Sequence, residues 1–412
     1  MVKKPHIYIA LPVMEESGNL PGLLSTLRNQ INSNFTLVVC VNQYEKYQSS
    51  DDFRHICKDN SKSLGILEAE VGLRLHIIDK TSEGNGWPEK KGGVGWARKT
   101  IMDFIAEIAS TEDIIVSIDA DTYYPENYLE EVLRFFMDNK NIHGLAIPYY
   151  HPLGDYNTNP LILRYEIYMR YYLLNMMRIG NPYCFTAIGS AMAFPVWAYK
   201  KVGGLTPVVS GEDFYFLQKL SKSGPLGLWV NTIAYPSSRF SSRVVFGTGP
   251  ALIKGSTGDW ESYPVYNYKF FNEVEKTYQL FDELYLSDID TPMDEFLNSQ
   301  FGNSKLWSPL RNNYKDKQNF FKGCMAKIDG LRVLQYLRYR SKSEHKPDET
   351  NLFVYLKQFL SGKDGEELLD SLENFEYDKC SIDTLKKVRE ILFEIEMKER
   401  KTRFITYHIN YA

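Results

Sequence analysis

Over the first 150 residues short apolar runs alternate with amphipathic stretches, and this alternation constrains the fold more than any other feature. Ile7–Leu11 reads as a strand, Leu20–Asn29 as a helix with Leu20, Leu23, Leu24 and Leu27 at helical spacing, and Phe35–Val41 as a β-branched strand. Leu73–Ile78 follows as a third strand, Trp96–Ala109 as a helix and Ile114–Ile118 as a fourth strand. Tyr128–Met137 is helical and His143–Tyr149 strand-like. Strands alternating with helices need crossover connections, which predicts an α/β fold with a mostly parallel sheet covered on both faces. Ligands of such sheets bind beyond the carboxyl ends of the strands, where the strand order switches. The polar residues just after each strand are therefore the place to look for chemistry.

After about residue 275 the strand-like runs stop and charged helical patterns take over, as in Phe321–Tyr339 and Glu367–Phe375. Leu385, Val388, Ile391, Leu392 and Ile395 form one apolar stripe. The sequence thus predicts one domain over 1–275 and a helical domain or appendage over 276–412. The 412 residues carry 48 Lys and Arg against 52 Asp and Glu, and that balance argues against nucleic acid as a partner. The most apolar long segment, Leu161–Ile179, is broken by Arg164, Glu166, Arg170 and Arg178, so no transmembrane segment is expected; peripheral membrane contact stays open. Five scattered cysteines without metal-ligand spacing, and no signal-peptide core behind the first lysines, predict a reduced, cytoplasmic protein.

Ile114–Ile118 runs straight into Asp119-Ala120-Asp121. Residues two apart in extended chain point to one side, so both carboxylates can face one ligand. Two hard oxygen donors suit Mg²⁺ or Mn²⁺ bridging a diphosphate. A second copy, Asp288-Ile289-Asp290, follows a helix-like segment and precedes Thr291-Pro292, so it reads as a turn. Glu212-Asp213 opens an amphipathic helix after a small-residue turn from Val209. That pair is open to two readings, a first-turn acidic cap or a general base. Gly92, Gly93 and Gly95 lead into a helix with Arg98 in its first turn, where backbone N–H groups can meet phosphate; an ordinary helix start is the plainer alternative.

In this order the segments resemble the family 2 glycosyltransferases of the GT-A fold, over roughly residues 5 to 250. Pro12, Glu15 and Glu16 stand in a segment similar to the opening one that holds the nucleotide base, and Asn42 ends the strand whose last residue usually contacts it. The Gly92–Arg98 turn resembles the donor pocket, with Gly93 and Arg98, and Asp119-Ala120-Asp121 the metal motif. Gly189 and Ser190, before Val202-Gly203-Gly204-Leu205, are similar to the acceptor-side strand and its turn. Glu212-Asp213 resembles the pair whose Asp is the catalytic base. The resemblance implies an inverting transferase that moves a sugar from a nucleotide-diphosphate sugar to the hydroxyl of a glycan, lipid-linked or small-molecule acceptor, with Mg²⁺ or Mn²⁺ as cofactor. Its donor half is expected over about 1–125 and its acceptor half over about 126–275.

Three departures stand out. Glu15 replaces the usual Asn, Asn42 replaces a common Asp, and no His lies between His151 and His345 to complete a metal site. The region where that His would stand carries Arg239 and Arg243, which either neutralise the leaving diphosphate or belong to a solvated loop. A retaining transferase, a sugar nucleotidyltransferase and a non-catalytic glycan-binding or scaffold protein with a decayed donor site are the rival readings. Aromatic residues make up 14% of the chain and concentrate in two places. From Tyr149 to Tyr183, Ile162, Tyr165, Met169, Tyr172 and Met176 form a core stripe, while Tyr149, Tyr150, Tyr168 and Tyr171 are candidates for a sugar platform; Tyr156 also falls here. Trp260, Tyr263, Tyr266, Tyr268, Phe270 and Phe271 either shape an acceptor pocket or seal a domain junction.

Overall fold

The computed structural model describes residues 4–155, 157–208, 210–243, 245–302, 305–360, 369, 372 and 375–406. Tyr156, Val209 and most of the helix expected over Glu367–Phe375 lie outside the described residues. The sheet strands are β1 (Ile7–Val13), β2 (Phe35–Asn42), β3 (Leu75–Lys80), β4 (Ile114–Ser117), β6 (Gly144–Ala146), β7 (Met192–Pro195) and β8 (Leu226–Gly227). Their order is β3-β2-β1-β4-β7-β6-β8, and a separate ribbon pairs β5 (Thr122–Tyr123) with β9 (Tyr235–Pro236). The pairs β2·β3, β1·β2, β1·β4 and β6·β8 are parallel, whereas β7 runs antiparallel to both neighbours. The α/β expectation holds, with one antiparallel strand that the alternation of elements does not predict.

Burial explains the pattern. All of β1 but Tyr8 and all of β2 but Thr36 are buried, as central strands covered by helices on both faces must be. Edge strand β3 has no fully buried residue, and it begins at Leu75 rather than Leu73 because Leu75 pairs with Leu37. Helix α1 (Leu20–Arg28) buries Leu20, Leu23, Leu24 and Leu27, the predicted stripe. After α2 (Arg54–Glu68), helix α3 (Val94–Ile108) buries Ile101, Met102 and Ile105, and α4 (Tyr128–Asp138) buries Val132, Phe135 and Phe136, with α5 (Asn159–Arg178) and α6 (Val196–Lys201) following. The strand expected over His143–Tyr149 shortens to Gly144–Ala146. The order turns at β1, with β2 on one side and β4 on the other, so the crevice predicted for ligands opens beyond Val13 and Ser117.

The compact units interleave along the chain rather than dividing it at residue 275. One is built from the chain up to Ile162, Phe185–Gly258 and Arg400–Ile405; the other includes Leu163–Cys184 and Asp259–Glu399. A buried ionic network explains why Leu163–Cys184 sorts with the later helices. Arg170 bonds Glu166 at 3.0 Å and Glu396 at 2.5 Å, all without solvent exposure, and Arg389 reaches Glu166 at 3.3 Å. Once buried, such charges must stay paired, which ties these segments together.

In that second unit Tyr171 is fully buried and donates its hydroxyl to the Tyr266 carbonyl at 2.5 Å, so it is core and not a sugar platform. Tyr168 packs on Tyr165 and Tyr263. The later aromatic cluster thus packs on Leu163–Cys184. Asp288 pairs with Arg311 at 2.6 Å in an irregular segment, in keeping with a turn. No described helix is long and apolar enough to cross a membrane.

Candidate functional site

Helix α7 (Glu212–Ser223) starts where it does because Gly211, at φ +79°, takes a left-handed conformation that costs glycine nothing. Phe216, Leu217 and Leu220 anchor the helix in the core and aim its first turn at the crevice. Glu212 is only 2% exposed, and its carboxylate meets Nη1 of Arg98. Nη2 of the same guanidinium binds Asp119 Oδ1 at 2.5 Å. One arginine, 4% exposed, therefore joins the acidic pair of α7 to the acidic residue beyond β4. Gly189 makes room for it, since a Cβ there would overlap the guanidinium. Arg98, expected in the donor pocket, has both terminal nitrogens committed to carboxylates.

Asp213 is half-buried. Although part of the residue is accessible, its carboxyl is set deeply enough that desolvation raises its pKa; the charge of Glu212 adds to this and Arg98 opposes it. A carboxyl raised in this way is a stronger base when ionised. Asp119 is held from a second side. The Tyr124 hydroxyl accepts the Asp119 N–H at 3.1 Å and donates to the Ser190 carbonyl at 3.0 Å. Tyr124, fully buried, was not singled out by the sequence, where it is one more tyrosine after the acidic motif.

The ribbon β5·β9 begins at the residue after Asp121 and pairs Thr122 with Pro236, so the chain beyond β9 returns over the acidic motif. Arg239 Nε donates to Asp121 Oδ2 at 2.7 Å, and its Nη2 reaches Glu16. Arg243 Nη1 pairs with the same Glu16 carboxylate at 2.6 Å and donates to the Met14 carbonyl. Burial pushes the Asp121 carboxyl up, with Arg239 opposing and Asp119 adding to the rise. Glu16 is 6% exposed and also accepts from Asn19 at 2.5 Å. Both arginines are thus ion-paired beside the acidic motif.

The residues expected at the base fare differently. Pro12 lies within β1, paired with Cys40. Glu15 stands at φ +55°, a region that Asn tolerates far better than Glu. Its N–H is held by the side chain of Asn60 at 3.0 Å. Asn42 is buried, donating to the Val13 carbonyl at 2.9 Å and accepting from the Trp87 indole at 3.1 Å. Its amide therefore spends a donor and an acceptor on tying β1, β2 and the loop around Trp87 together. Gly93 caps α3 at φ +85°. Tyr149 is 1% exposed and packs edge-on to His151, so it presents no open ring face; Tyr150 is half-buried beside Tyr235.

Asp119 and Asp121 are the oxygen donors a divalent cation takes, but each is already in an ion pair with an arginine. Among the described residues no three His, Cys, Asp or Glu side chains group so as to hold a metal ion. The set does not fit a resident cation.

Residues 114–258 match the family model described as glycosyl transferase family group 2. The matched span contains Asp119, Asp121, Gly189, Ser190, Glu212, Asp213, Arg239 and Arg243, and leaves out Glu16, Asn42 and Arg98. A comparison with curated proteins finds no match. Among solved structures, the chain is similar to residues 1–349 of S. aureus TarS in complex with UDP-GlcNAc, at 13% identity and a TM-score of 0.38, covering 97% of this chain and 92% of that one. It is also similar to the mannosyltransferase PcManGT from Pyrobaculum calidifontis in complex with GDP-Man and Mn²⁺, at 12% identity and 0.39, covering 96% and 88%. Glucosyl-3-phosphoglycerate synthase from Mycobacterium tuberculosis, with Mn²⁺ and UDP, is similar at 12% identity and 0.34, covering 57% and 70%.

Proposed function

We propose that this chain, which matches glycosyl transferase family group 2 through residues 114–258, is an inverting glycosyltransferase. It uses a nucleotide-diphosphate sugar and a carbohydrate or lipid-linked acceptor. The observation that carries the reading is the clasp of Arg98 on both Glu212 and Asp119. It brings the base-bearing helix α7 and the diphosphate-side loop beyond β4 to one point at the switch of the sheet. A transfer site needs that juxtaposition, because the acceptor hydroxyl must attack in line with the departing diphosphate.

Asp213 takes the proton of the acceptor hydroxyl as its oxygen attacks the anomeric carbon. Its raised pKa gives a carboxylate basic enough to share that proton in the transition state. Glu212, held by Arg98, fixes the first turn of α7 and so the direction from which Asp213 works. On the opposite side the crevice beyond β1 and β4 receives the nucleotide, with Gly93 and the start of α3 offering backbone N–H groups. Asp119 and Asp121 are the residues that would hold Mg²⁺ or Mn²⁺, and a cation there would have to displace an arginine from each. We place the reaction in a reducing, cytoplasmic setting, in keeping with five free cysteines.

Calorimetry with a panel of nucleoside diphosphates and sugar nucleotides names the donor. Asp213→Asn then tests the role. The variant should bind the same nucleotide within about twofold and lose transfer by at least ~10²-fold. Turnover at the wild-type rate would refute Asp213 as the base, and the anomer of the product, read by NMR, decides between inversion and retention.

A further inference from the structure

We propose that Arg239, backed by Arg243, supplies the positive charge for the donor diphosphate in place of a divalent cation, so that the chain binds and releases its nucleotide without metal. The inference rests on the transferase reading above and specifies how its donor site works.

The geometry points this way. Arg239 lies on Asp121 through Nε at 2.7 Å, on the carboxylate a cation would use. The neighbouring carboxylates are also taken, Asp119 by Arg98 and Glu16 by both Arg239 and Arg243. A cation bound to Asp121 would stand beside a guanidinium that has no proton to give up, since arginine stays charged at any working pH. The two would repel each other across one carboxylate.

Arg239 is also delivered by a built path. The ribbon pair Thr122↔Pro236 ends three residues before it, and Ser238 Oγ donates to the Pro152 carbonyl at 3.3 Å. The chain is thereby brought back to the acidic motif by backbone pairing. Nη1 of Arg239 and Nη2 of Arg243 make no hydrogen bond to a described residue, so each keeps donors for phosphate oxygens. Guanidinium and phosphate match in geometry, which is why arginine serves so often in phosphate recognition.

In the transfer step the bond between the anomeric carbon and the β-phosphate oxygen breaks, and its electron pair stays on that oxygen. The acceptor oxygen forms the new bond and its proton passes to Asp213. The charge gathered on the diphosphate is met by Arg239 and Arg243. The acidic motif then serves to hold and aim the guanidinium.

The test is nucleotide binding by the full chain, measured by calorimetry with UDP and GDP in EDTA and again in millimolar Mn²⁺. Wild type should bind its preferred nucleoside diphosphate with Kd values within about twofold in the two buffers. Mn²⁺ alone, followed by its electron paramagnetic resonance signal, should show no tight site. Arg239→Met should weaken binding at least ~10-fold in EDTA, and Arg239→Lys should recover part of it. Binding by wild type only in Mn²⁺, or unchanged binding by Arg239→Met, overturns the inference while leaving the transferase reading standing. Failure to bind any nucleoside diphosphate in either buffer overturns both.

Discussion

Replacing Arg98 with methionine would remove the charge that joins Glu212 to Asp119 while filling much of the same space. The size of the effect follows from the surroundings of each partner. Glu212 is 2% exposed, so its carboxylate would be left charged without water or a cation, a loss of about 3–5 kcal/mol for one partner of a buried pair. The side chain of Asp119 is 34% exposed, and water would replace most of what the arginine provided, at no more than about 1 kcal/mol. Two terms work the other way. Nε of Arg98 is buried without a partner, and its removal should return roughly 1 kcal/mol; methionine also preserves packing. The net loss is then about 2–5 kcal/mol, a fall in Tm of roughly 4–20 °C for a domain of this size. Urea unfolding of both proteins at pH 7.5 and pH 4.5 checks it. The gap should narrow in acid, because protonating the stranded carboxyl removes the charge that causes the loss. A loss below about 1 kcal/mol at pH 7.5, or a gap that widens on acidification, would refute the assignment of Arg98 as the clasp of the site.

Asp213 is an acid whose folded-state pKa lies above its unfolded value, so its ionised form works against the fold and its contribution to stability grows as pH falls. Asp213→Asn should therefore raise stability near neutral pH, by about 1 kcal/mol or roughly 2–4 °C in calorimetry, while abolishing transfer. The same raised pKa places the acid limb of kcat/KM above the ordinary carboxylate range near ~4, and Arg98→Met should move that limb further up because Arg98 is the charge that holds Asp213 down; a limb unmoved by the substitution would contradict this. Gly189→Ala would put a methyl into the Arg98 guanidinium, costing about 1–3 kcal/mol in urea unfolding and lowering activity in parallel. Glu15→Asn should stabilise by up to ~1 kcal/mol, because asparagine accepts the left-handed backbone at that position; a destabilised variant would show that the Glu15 side chain itself holds the turn.

Much of the sheet was legible because period and length decide its elements: Leu20, Leu23, Leu24 and Leu27 make α1, and the β-branched run after Phe35 makes β2. The antiparallel strand β7 was not, since Met192–Pro195 has no local mark of direction and owes its orientation to pairing with β4 and β6. At the site, Asp119, Asp121, Glu212 and Asp213 were singled out from strand ends and a helix start, and the structure does gather them. What the sequence withheld was their partners. Arg98 and Glu212 stand 114 residues apart, and nothing local says that a guanidinium near the start of α3 will turn toward α7. Asn42 and Tyr149 are more enclosed than a position at or just past a strand end implies, because their side chains face neighbours inside the fold, Trp87 and His151. Exposure depends on such neighbours, and spacing along the chain does not reveal them.

The segment Arg400–Ile405 belongs with the sheet although some 140 residues separate it from Gly258. Arg400 donates to the carbonyls of Ala146 and Leu228 at 3.0 and 2.9 Å, and Leu228 N–H donates to the Phe404 carbonyl at 2.8 Å. Phe404 lies against Phe135, and Ile405 bridges Gly227 of the edge strand β8. During synthesis at ~5–20 residues per second, that edge would wait on the order of 7–30 s after Gly258 for its cover. A nascent chain therefore carries an open strand edge of the kind other chains can pair with, and the segment Arg400–Ile405 is what closes it.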